Sequence, residues 1–120
     1  MLVQALKAKI HRATVTDSHI EYPGSIGIDA ALLEACGIAV YEKVLVVDID
    51  NGARLETYAV PEEANSGKIV ILGAAARLVD PGDLIIIMNF GFYTPDELKN
   101  HKPKIIVPDE KNRIKEILDI

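Results

Sequence analysis

Cysteine, tryptophan and long apolar stretches are scarce or missing in this sequence. Of its 120 residues only Cys36 is a cysteine, and none is a tryptophan. A lone cysteine excludes an intrachain disulfide framework and is typical of a reducing compartment. The longest apolar run, residues 84–88, is far shorter than the roughly 20 residues that cross a bilayer. The first residues have no signal-peptide pattern, so we expect a cytoplasmic protein without a membrane partner.

Positive charge is also in deficit. Lys and Arg number 13 against 18 Asp and Glu, which gives a net charge of −5. Such a chain repels phosphate backbones, so we expect no nucleic-acid partner. The hydrophobic fraction of 49% and the charged fraction of 26% are those of a globular protein. The length predicts one domain, residues 1–120, with a single core.

Turn residues recur every eight to twelve positions, which is the spacing of short strands in a barrel or a sandwich. The β-rich runs between these turns include residues 2–10, 13–16, 53–60 and 84–88. Asn51-Gly52 predicts a two-residue type I′ hairpin turn, in which both residues have positive φ. The sequence therefore predicts a mainly β fold.

Two short helices are predicted by their caps. Asp29 is placed to cap the N-terminus of Ala30–Cys36, and Gly37 to end that helix in the left-handed conformation. A second helix begins after Thr94, with Pro95 at its first position and a Glu spaced for a capping box. Helix is thus a minor part of the fold.

Most patterns that carry chemistry are missing. The three histidines, His11, His19 and His101, have no cysteine or carboxylate at metal-ligand spacing. Residues 48–52 are similar to the start of a calcium loop, but Ala53 stands where that loop needs glycine. Nucleophile-elbow, P-loop and dinucleotide glycine patterns are also missing. We therefore expect no metal.

The Gly24-Ser25 peptide is the remaining candidate for chemistry. Glycine lets the backbone bend, so that the serine hydroxyl can approach the preceding carbonyl carbon. The two residues alone fit an ordinary turn. They also fit an N→O acyl shift, in which the Ser25 hydroxyl attacks the Gly24 carbonyl, and β-elimination and hydrolysis leave a pyruvoyl group. The dipeptide does not decide between these interpretations.

Four longer stretches resemble aspartate 1-decarboxylase, a pyruvoyl-dependent family that makes β-alanine for pantothenate biosynthesis. They are residues 9–16 (KIHRATVT), 22–29 (YPGSIGID), 51–58 (NGARLETY) and 73–77 (GAAAR). Their order and spacing match the family, and the likeness fades after about Pro95. Four collinear motifs in a chain of matching length are a specific signal.

The resemblance implies a double-psi β-barrel, assembled as a homotetramer with active sites between neighbouring subunits. It implies self-cleavage at Gly24-Ser25 into fragments 1–24 and 25–120, with Ser25 becoming the pyruvoyl group that forms a Schiff base with the substrate. The substrate would be L-aspartate, and neither a metal nor pyridoxal phosphate would be needed. A requirement for an accessory maturation factor does not follow from the sequence.

The resemblance also implies roles for individual residues. Thr57 would assist the rearrangement near the Gly24 carbonyl, and Tyr58 would protonate the carbanion. The remaining implied residues all contact substrate or shape its pocket: Lys9, Tyr22, Arg54, Thr57, Gly73, Ala74 and Ala75.

Each charged or aromatic candidate also has a structural interpretation. The planar fork of Arg54 suits a carboxylate, but Arg54 also fits a solvated strand residue paired with Glu56. Lys9 fits an exposed cationic face beside Lys7 and Arg12. Tyr58 fits a packed strand aromatic.

Thr57 and Tyr58 are neighbours on one strand, whose side chains alternate between two faces. Arg54 and Tyr58 therefore share a face that Thr57 does not. We expect that Thr57 can reach the same site only through a bend, a bulge or a neighbouring subunit.

Leu72 departs from the family, which usually has asparagine there. Leucine can neither donate nor accept a hydrogen bond. We therefore expect slow or incomplete processing, unless Leu72 only packs in the barrel and water or a backbone amide makes the contact.

Two rival functions remain at this level. The first is an unprocessed barrel that serves as a non-enzymatic binding or structural protein. The second is a decarboxylase for another small amino acid, against which two cations argue because a monocarboxylic substrate would leave one unpaired.

Overall fold

A computed structural model describes residues 1–118, so the last two residues of the expected fragment 25–120 lie outside the described part. Residues 1–118 form nine strands, two α-helices and one 3₁₀ helix. Their bounds are β1 Val3–Thr14, β2 Asp17–His19, β3 Ser25–Asp29, α1 Ala30–Cys36, β4 Lys43–Asp48, β5 Arg54–Glu62, β6 Ile69–Leu72, the 3₁₀ helix Gly73–Arg77, β7 Leu84–Tyr93, α2 Pro95–Lys99, β8 Lys104–Pro108 and β9 Ile114–Leu118.

The strands form one sheet in the order β2-β6-β3-β5-β4-β7-β1-β8-β9. Most neighbours are antiparallel, but β3 is parallel to β5, β1 to β8 and β2 to β6. This mainly β arrangement with two short α-helices is compatible with the expected double-psi β-barrel. No described helix has the length and apolar character that a membrane span requires.

The core is built from β-branched side chains on the inner face of the sheet. β-Branched residues suit strands because they pack well on a pleated surface. The largest fully buried side chains are almost all of this type: Ile10, Ile26, Ile28, Leu32, Ile69, Ile71, Ile85, Ile87, Ile106, Val15, Val44 and Val46.

Both helices confirm their predicted caps. The Asp29 side chain accepts a hydrogen bond from Ala31 N, and Gly37 ends α1 with φ 73°. Thr94 caps α2 within a complete capping box, and Pro95 occupies the first turn. Cap motifs are local, so the sequence alone was sufficient to place them.

The predicted hairpin forms, but its predicted turn type is wrong. β4 and β5 pair antiparallel as expected. Gly52 has φ 75°, whereas Asn51 does not have positive φ, so the turn is not type I′. The Asp48 carboxylate accepts hydrogen bonds from Asp50 N and Asn51 N, which stabilises a longer loop in place of the two-residue turn.

The strand pattern differs from the sequence prediction at β2, which was not predicted, at β7, which extends beyond the predicted run 84–88, and at β1 and β3. Residues 2–10 and 13–16 were expected as separate runs, but β1 continues through a bulge where Arg12 has φ 70°. β3 was not predicted, because its Ser-Ile-Gly-Ile-Asp sequence is short and contains glycine. Every residue of β3 is nonetheless buried.

Asp29 fixes the end of β3. Its side chain, 1% exposed, accepts from Ala31 N at 2.8 Å, Asn65 N at 2.9 Å and Gly67 N at 2.9 Å. One carboxylate thus joins the start of α1 to the turn before β6. Removing it leaves three backbone donors without their acceptor.

We expect Asp29→Ala to lower the free energy of unfolding by about 2–4 kcal/mol. The reason is that the three buried N–H groups would then be desolvated without a hydrogen bond in return. Asp29→Asn keeps one acceptor oxygen and should lose less. Urea unfolding followed by circular dichroism measures both.

Asp109→Ala is the matched control. Asp109 also accepts two backbone N–H bonds in a turn, from Lys111 and Arg113, but at the protein surface where water can replace it. A loss as large for Asp109→Ala as for Asp29→Ala would contradict the assignment of Asp29 as the anchor.

Candidate active site

A cleft follows one edge of β5. Residues 54–58 pair with β4 on one side, whereas β3 covers the other side only from Ala59 onward. A cleft of about 470 Å³ lies along this uncovered segment, within the size range of small-molecule sites. Its lining residues come from three parts of the chain: Gly24, Leu55, Glu56, Thr57, Tyr58, Leu72, Ala74, Ala75 and Leu78.

The position of the cleft explains how Thr57 and Tyr58 share it. We expected a bend, a bulge or a second subunit, because the two side chains alternate between faces. The β4–β5 register is continuous, so no bulge is present there. The cleft borders the edge of the strand rather than one face, and residues from both faces can therefore line it.

The Gly24-Ser25 peptide lies at the mouth of this cleft. Gly24 is exposed and lines the cleft, whereas Ser25 is 5% exposed and begins β3. Ser25 pairs with Leu72 of β6. The peptide bond between them therefore joins an exposed residue to a buried one beside Thr57 and Tyr58.

Gly73 packs directly behind Gly24. Gly73 has φ 81°, and a Cβ atom added there would lie 2.5 Å from Gly24 Cα and 2.8 Å from Gly24 N. Only glycine permits this contact between backbones. Gly73 therefore packs against the backbone of Gly24, next to the Gly24-Ser25 peptide bond. Ala74 and Ala75 line the cleft itself.

The two hydroxyl groups in the cleft are available for other partners. Within residues 1–118, neither the Thr57 nor the Tyr58 side chain makes a hydrogen bond. Tyr58 is 38% exposed, and its ring centroid lies 6.3 Å from that of Tyr41 in a tilted arrangement. The ring contact holds Tyr58 without engaging its hydroxyl.

Glu56 brings a carboxylate to the cleft, but Lys43 compensates its charge. Lys43 Nζ forms an ion pair with Glu56 across the β4–β5 pair. Glu56 therefore pairs with Lys43 and not, as the structural interpretation of Arg54 had proposed, with Arg54. Among the described residues, Arg54 and Lys9 make no ion pair.

Arg54 and Lys9 do not line the cleft of their own chain. Arg54 is exposed at the start of β5, on the same face as Tyr58. Lys9 lies on β1, and β5, β4 and β7 separate β1 from β3 in the sheet. At about 4.8 Å per strand, Lys9 is about 19 Å along the curved sheet from Ser25.

Lys9 belongs to a cationic segment of β1. Its neighbours are His11 and Arg12, and His11 Nδ1 is buried without a hydrogen-bond partner. Burial first, then the charges of Lys9 and Arg12, lowers the pKa of His11. At neutral pH the positive charge of this segment therefore comes from Lys9 and Arg12.

Tyr22 faces a second cleft next to the first. Its ring is 5.3 Å from that of His19, and the two line a cleft of about 460 Å³ with Ala76 and Asp80 among others. The Tyr22 carbonyl oxygen nevertheless lies 3.0 Å from the position of a Gly73 Cβ. Tyr22 thus shapes the Gly24 turn through its backbone.

Cys36 is not a nucleophile in this fold. It is buried, and burial raises the pKa of its thiol to about 12. The thiolate is the reactive form of cysteine, so this thiol is inert at neutral pH.

Three lining residues were not identified from the sequence: Leu55, Glu56 and Leu78. Leu55 and Glu56 stand between the motif residues Arg54 and Thr57, so their adjacency was the available signal. Leu78 follows the 3₁₀ helix and lies outside the motif stretches, so nothing in the sequence indicated it as a lining residue. Leu72 does line the cleft, so its departure from the usual asparagine falls within the site.

Sequence comparisons with known proteins show the family of this chain. A sequence model of the family described as aspartate decarboxylase matches residues 1–115, so the likeness extends well past Pro95. The chain is 59% identical to an aspartate 1-decarboxylase of Thermosipho africanus over 112 residues, which cover 93% of this chain and 92% of the relative.

Two further relatives carry the same name. An aspartate 1-decarboxylase of Listeria monocytogenes is 54% identical over 113 residues, covering 94% of this chain and 89% of the relative. One from Clostridium beijerinckii is 52% identical over 117 residues, covering 98% and 94%. With a family model that matches residues 1–115 and relatives of this similarity, the chain belongs to the aspartate decarboxylase family.

Proposed function

We propose that this protein is an aspartate 1-decarboxylase, which converts L-aspartate to β-alanine and CO₂ after cleaving itself at Gly24-Ser25. The observation that carries the proposal is the cleft in which Gly24, Thr57 and Tyr58 meet, in a chain that belongs to this family. The family supports a role in pantothenate biosynthesis. The single buried cysteine suits a reducing environment and so supports a cytoplasmic location.

Processing begins at Ser25. Its hydroxyl oxygen attacks the Gly24 carbonyl carbon, and the peptide becomes an ester. Elimination then releases the Gly24 carboxylate and leaves dehydroalanine, whose hydrolysis releases ammonia and gives the pyruvoyl group. Thr57, which lines the cleft with an unengaged hydroxyl, donates a hydrogen bond near the Gly24 carbonyl during the attack.

The surroundings of Ser25 suit such a group. Ser25 is nearly buried, yet it adjoins the cleft through Gly24. A pyruvoyl group held there would supply a ketone that binds the substrate amine and an electron sink for the loss of CO₂. Ala74 and Ala75 border the cleft with small side chains and so leave room for a substrate of the size of aspartate.

Tyr58 returns a proton to the substrate carbon that loses CO₂. A tyrosine hydroxyl is protonated at neutral pH and can act as a general acid. Tyr58 lines the same cleft as Gly24, and its hydroxyl has no partner in the described part of the chain.

Lys9 and Arg54 bind the carboxylates of a diacid substrate. Neither has an ion-pair partner within the described chain, and neither lines its own chain's cleft. Lys9 therefore serves the cleft of a neighbouring copy, which supports a homotetramer with sites between subunits. A cyclic assembly allows every copy to contribute in this way.

Ser25→Ala should remain one full-length chain without decarboxylase activity, because the attacking oxygen is missing. Wild-type protein should split into fragments 1–24 and 25–120, measured by intact-mass spectrometry. Ser66→Ala, in an exposed turn, is the matched control and should split normally. Two fragments from Ser25→Ala would exclude the acyl shift, and an intact, inactive wild type would favour the unprocessed binding barrel.

Tyr58→Phe should lose about 10²- to 10⁴-fold in turnover while processing and folding persist, because only the acid is removed. Tyr41→Phe is the matched control, since Tyr41 contacts Tyr58 through its ring. β-Alanine release by the processed proteins measures both. Wild-type turnover in Tyr58→Phe would remove Tyr58 from the mechanism.

Lys9→Ala and Tyr58→Phe should each be nearly inactive, and their co-assembled mixture should recover activity. If each site takes Lys9 from one copy and Tyr58 from another, about one quarter of the sites in a random mixture are intact. The assay is β-alanine release by co-expressed, purified oligomers.

The control mixture combines Ser25→Ala with Tyr58→Phe, because Ser25 and Tyr58 adjoin the cleft of the same copy. This mixture should stay inactive. Failure of the first mixture to recover, in oligomers verified to contain both chains, would place Lys9 in its own copy's site or outside any site.

A further inference from the structure

Three carboxylates converge at the turn between β4 and β5, and none of the three lines the cleft. Asp48 ends β4, Asp50 lies in the turn and Asp83 directly precedes β7. One ligand atom from each lies within 4.8 Å of the others. Asp48 is fully buried, Asp83 is half-buried and Asp50 is exposed, so the cluster reaches from the interior to solvent.

Backbone donors fix each carboxylate from one side. Asp48 Oδ1 accepts from Asp50 N at 2.8 Å, and Asp50 Oδ2 accepts from Leu84 N at 2.8 Å. Asp83 Oδ2 accepts from Asp80 N at 3.0 Å. These bonds orient the three side chains without neutralising their charge, so one further oxygen of each remains for a ligand.

One buried oxygen of Asp48 lacks a partner. Asp48 is 0% exposed, yet its Oδ2 atom has no hydrogen-bond partner. A buried ionised oxygen without a partner is costly. The ion pairs among residues 1–118 include none of the three aspartates, so no described basic side chain pairs with them.

The groups that act on Asp48 carry the same negative charge or none. They are the Asp83 carboxyl and the backbone N–H groups of Asp50 and Asn51. Two carboxylates that face one another have no proton donor between them when both are ionised. Either a cation or a shared proton must relieve this arrangement.

We propose that Asp48, Asp50 and Asp83 bind a hard divalent cation, Ca²⁺ in preference to Mg²⁺. Carboxylate oxygens alone are ligands for hard cations, which take further oxygens from backbone carbonyls and water. One oxygen of each of the three carboxylates lies within 4.8 Å of the others, so a single ion can contact all three. Ca²⁺ accepts six to eight oxygens in a flexible geometry, whereas Mg²⁺ needs near-ideal octahedral geometry and loses its water reluctantly.

The position of the site gives it a structural role. It joins the loop before β5 to the loop before β7, two segments far apart in sequence. β5 then carries Arg54, Thr57 and Tyr58 within its first five residues. A cation here holds the beginning of the strand that lines the cleft, and it does so whether or not the protein decarboxylates aspartate.

Calcium should stabilise the full-length protein. After chelator treatment at pH 7.5 and constant ionic strength, millimolar CaCl₂ should raise the melting temperature by about 5 °C or more, because a ligand that binds only the folded state stabilises it. MgCl₂ at equal ionic strength should raise it less. Isothermal titration calorimetry with CaCl₂ should give one site per chain.

Asp83→Asn should abolish the calcium response, since it removes one charged ligand of similar shape. Asp80→Asn is the matched control on the same loop, because Asp80 lies outside the cluster. Circular dichroism in chelator verifies that each variant is folded, and Asp50→Asn replaces Asp83→Asn if the latter is not.

Two results would overturn the cation site. The first is the absence of calorimetric binding and of a melting shift in wild type at pH 7.5. In that case, stability that rises as the pH falls from 8 to 5 would assign the carboxylates to a shared proton. The second is an equal calcium response in Asp83→Asn and Asp80→Asn, which would show nonspecific binding.

Discussion

The insertion of β3 between β5 and β6 is the constraint on which the site depends. β3 is parallel to β5 and antiparallel to β6, and all five of its residues are buried. Its first residue is Ser25, so the strand begins where the candidate cleavage bond lies. Because the pairing of β3 with β5 begins at Ile26 and Ala59 rather than earlier, the edge of residues 55–58 stays uncovered, and the cleft occupies that edge.

Asp29 and the polar residues of the candidate site differ in whether the chain itself supplies their hydrogen-bond or ion-pair partners. Asp29 has its oxygens matched to three backbone donors, as buried polar groups in stable folds generally do. Thr57, Tyr58, Arg54 and Lys9 have no such partners within the described chain. These four side chains are therefore available to bind a substrate or a second copy.

The match between sequence and structure depends on how local each feature is. The caps of α1 and α2 were predicted correctly because a cap involves residues within one helical turn. The turn at Asn51-Gly52 was predicted with the wrong geometry, because the side chain of Asp48 outweighed the preference of the dipeptide. β3 was missed because its burial comes from the two strands beside it rather than from its own composition.

The sequence by itself determined the mainly β class, the two helices, the family and the identity of the residues that could carry chemistry. Only the tertiary structure decided that Thr57 and Tyr58 border one cleft, that Lys9 does not line this cleft in the same chain, and that Asp83 joins Asp48. These relations follow from the strand order, in which β5, β4 and β7 lie between β3 and β1. Strand order arises from contacts between residues distant in sequence, which no local pattern records.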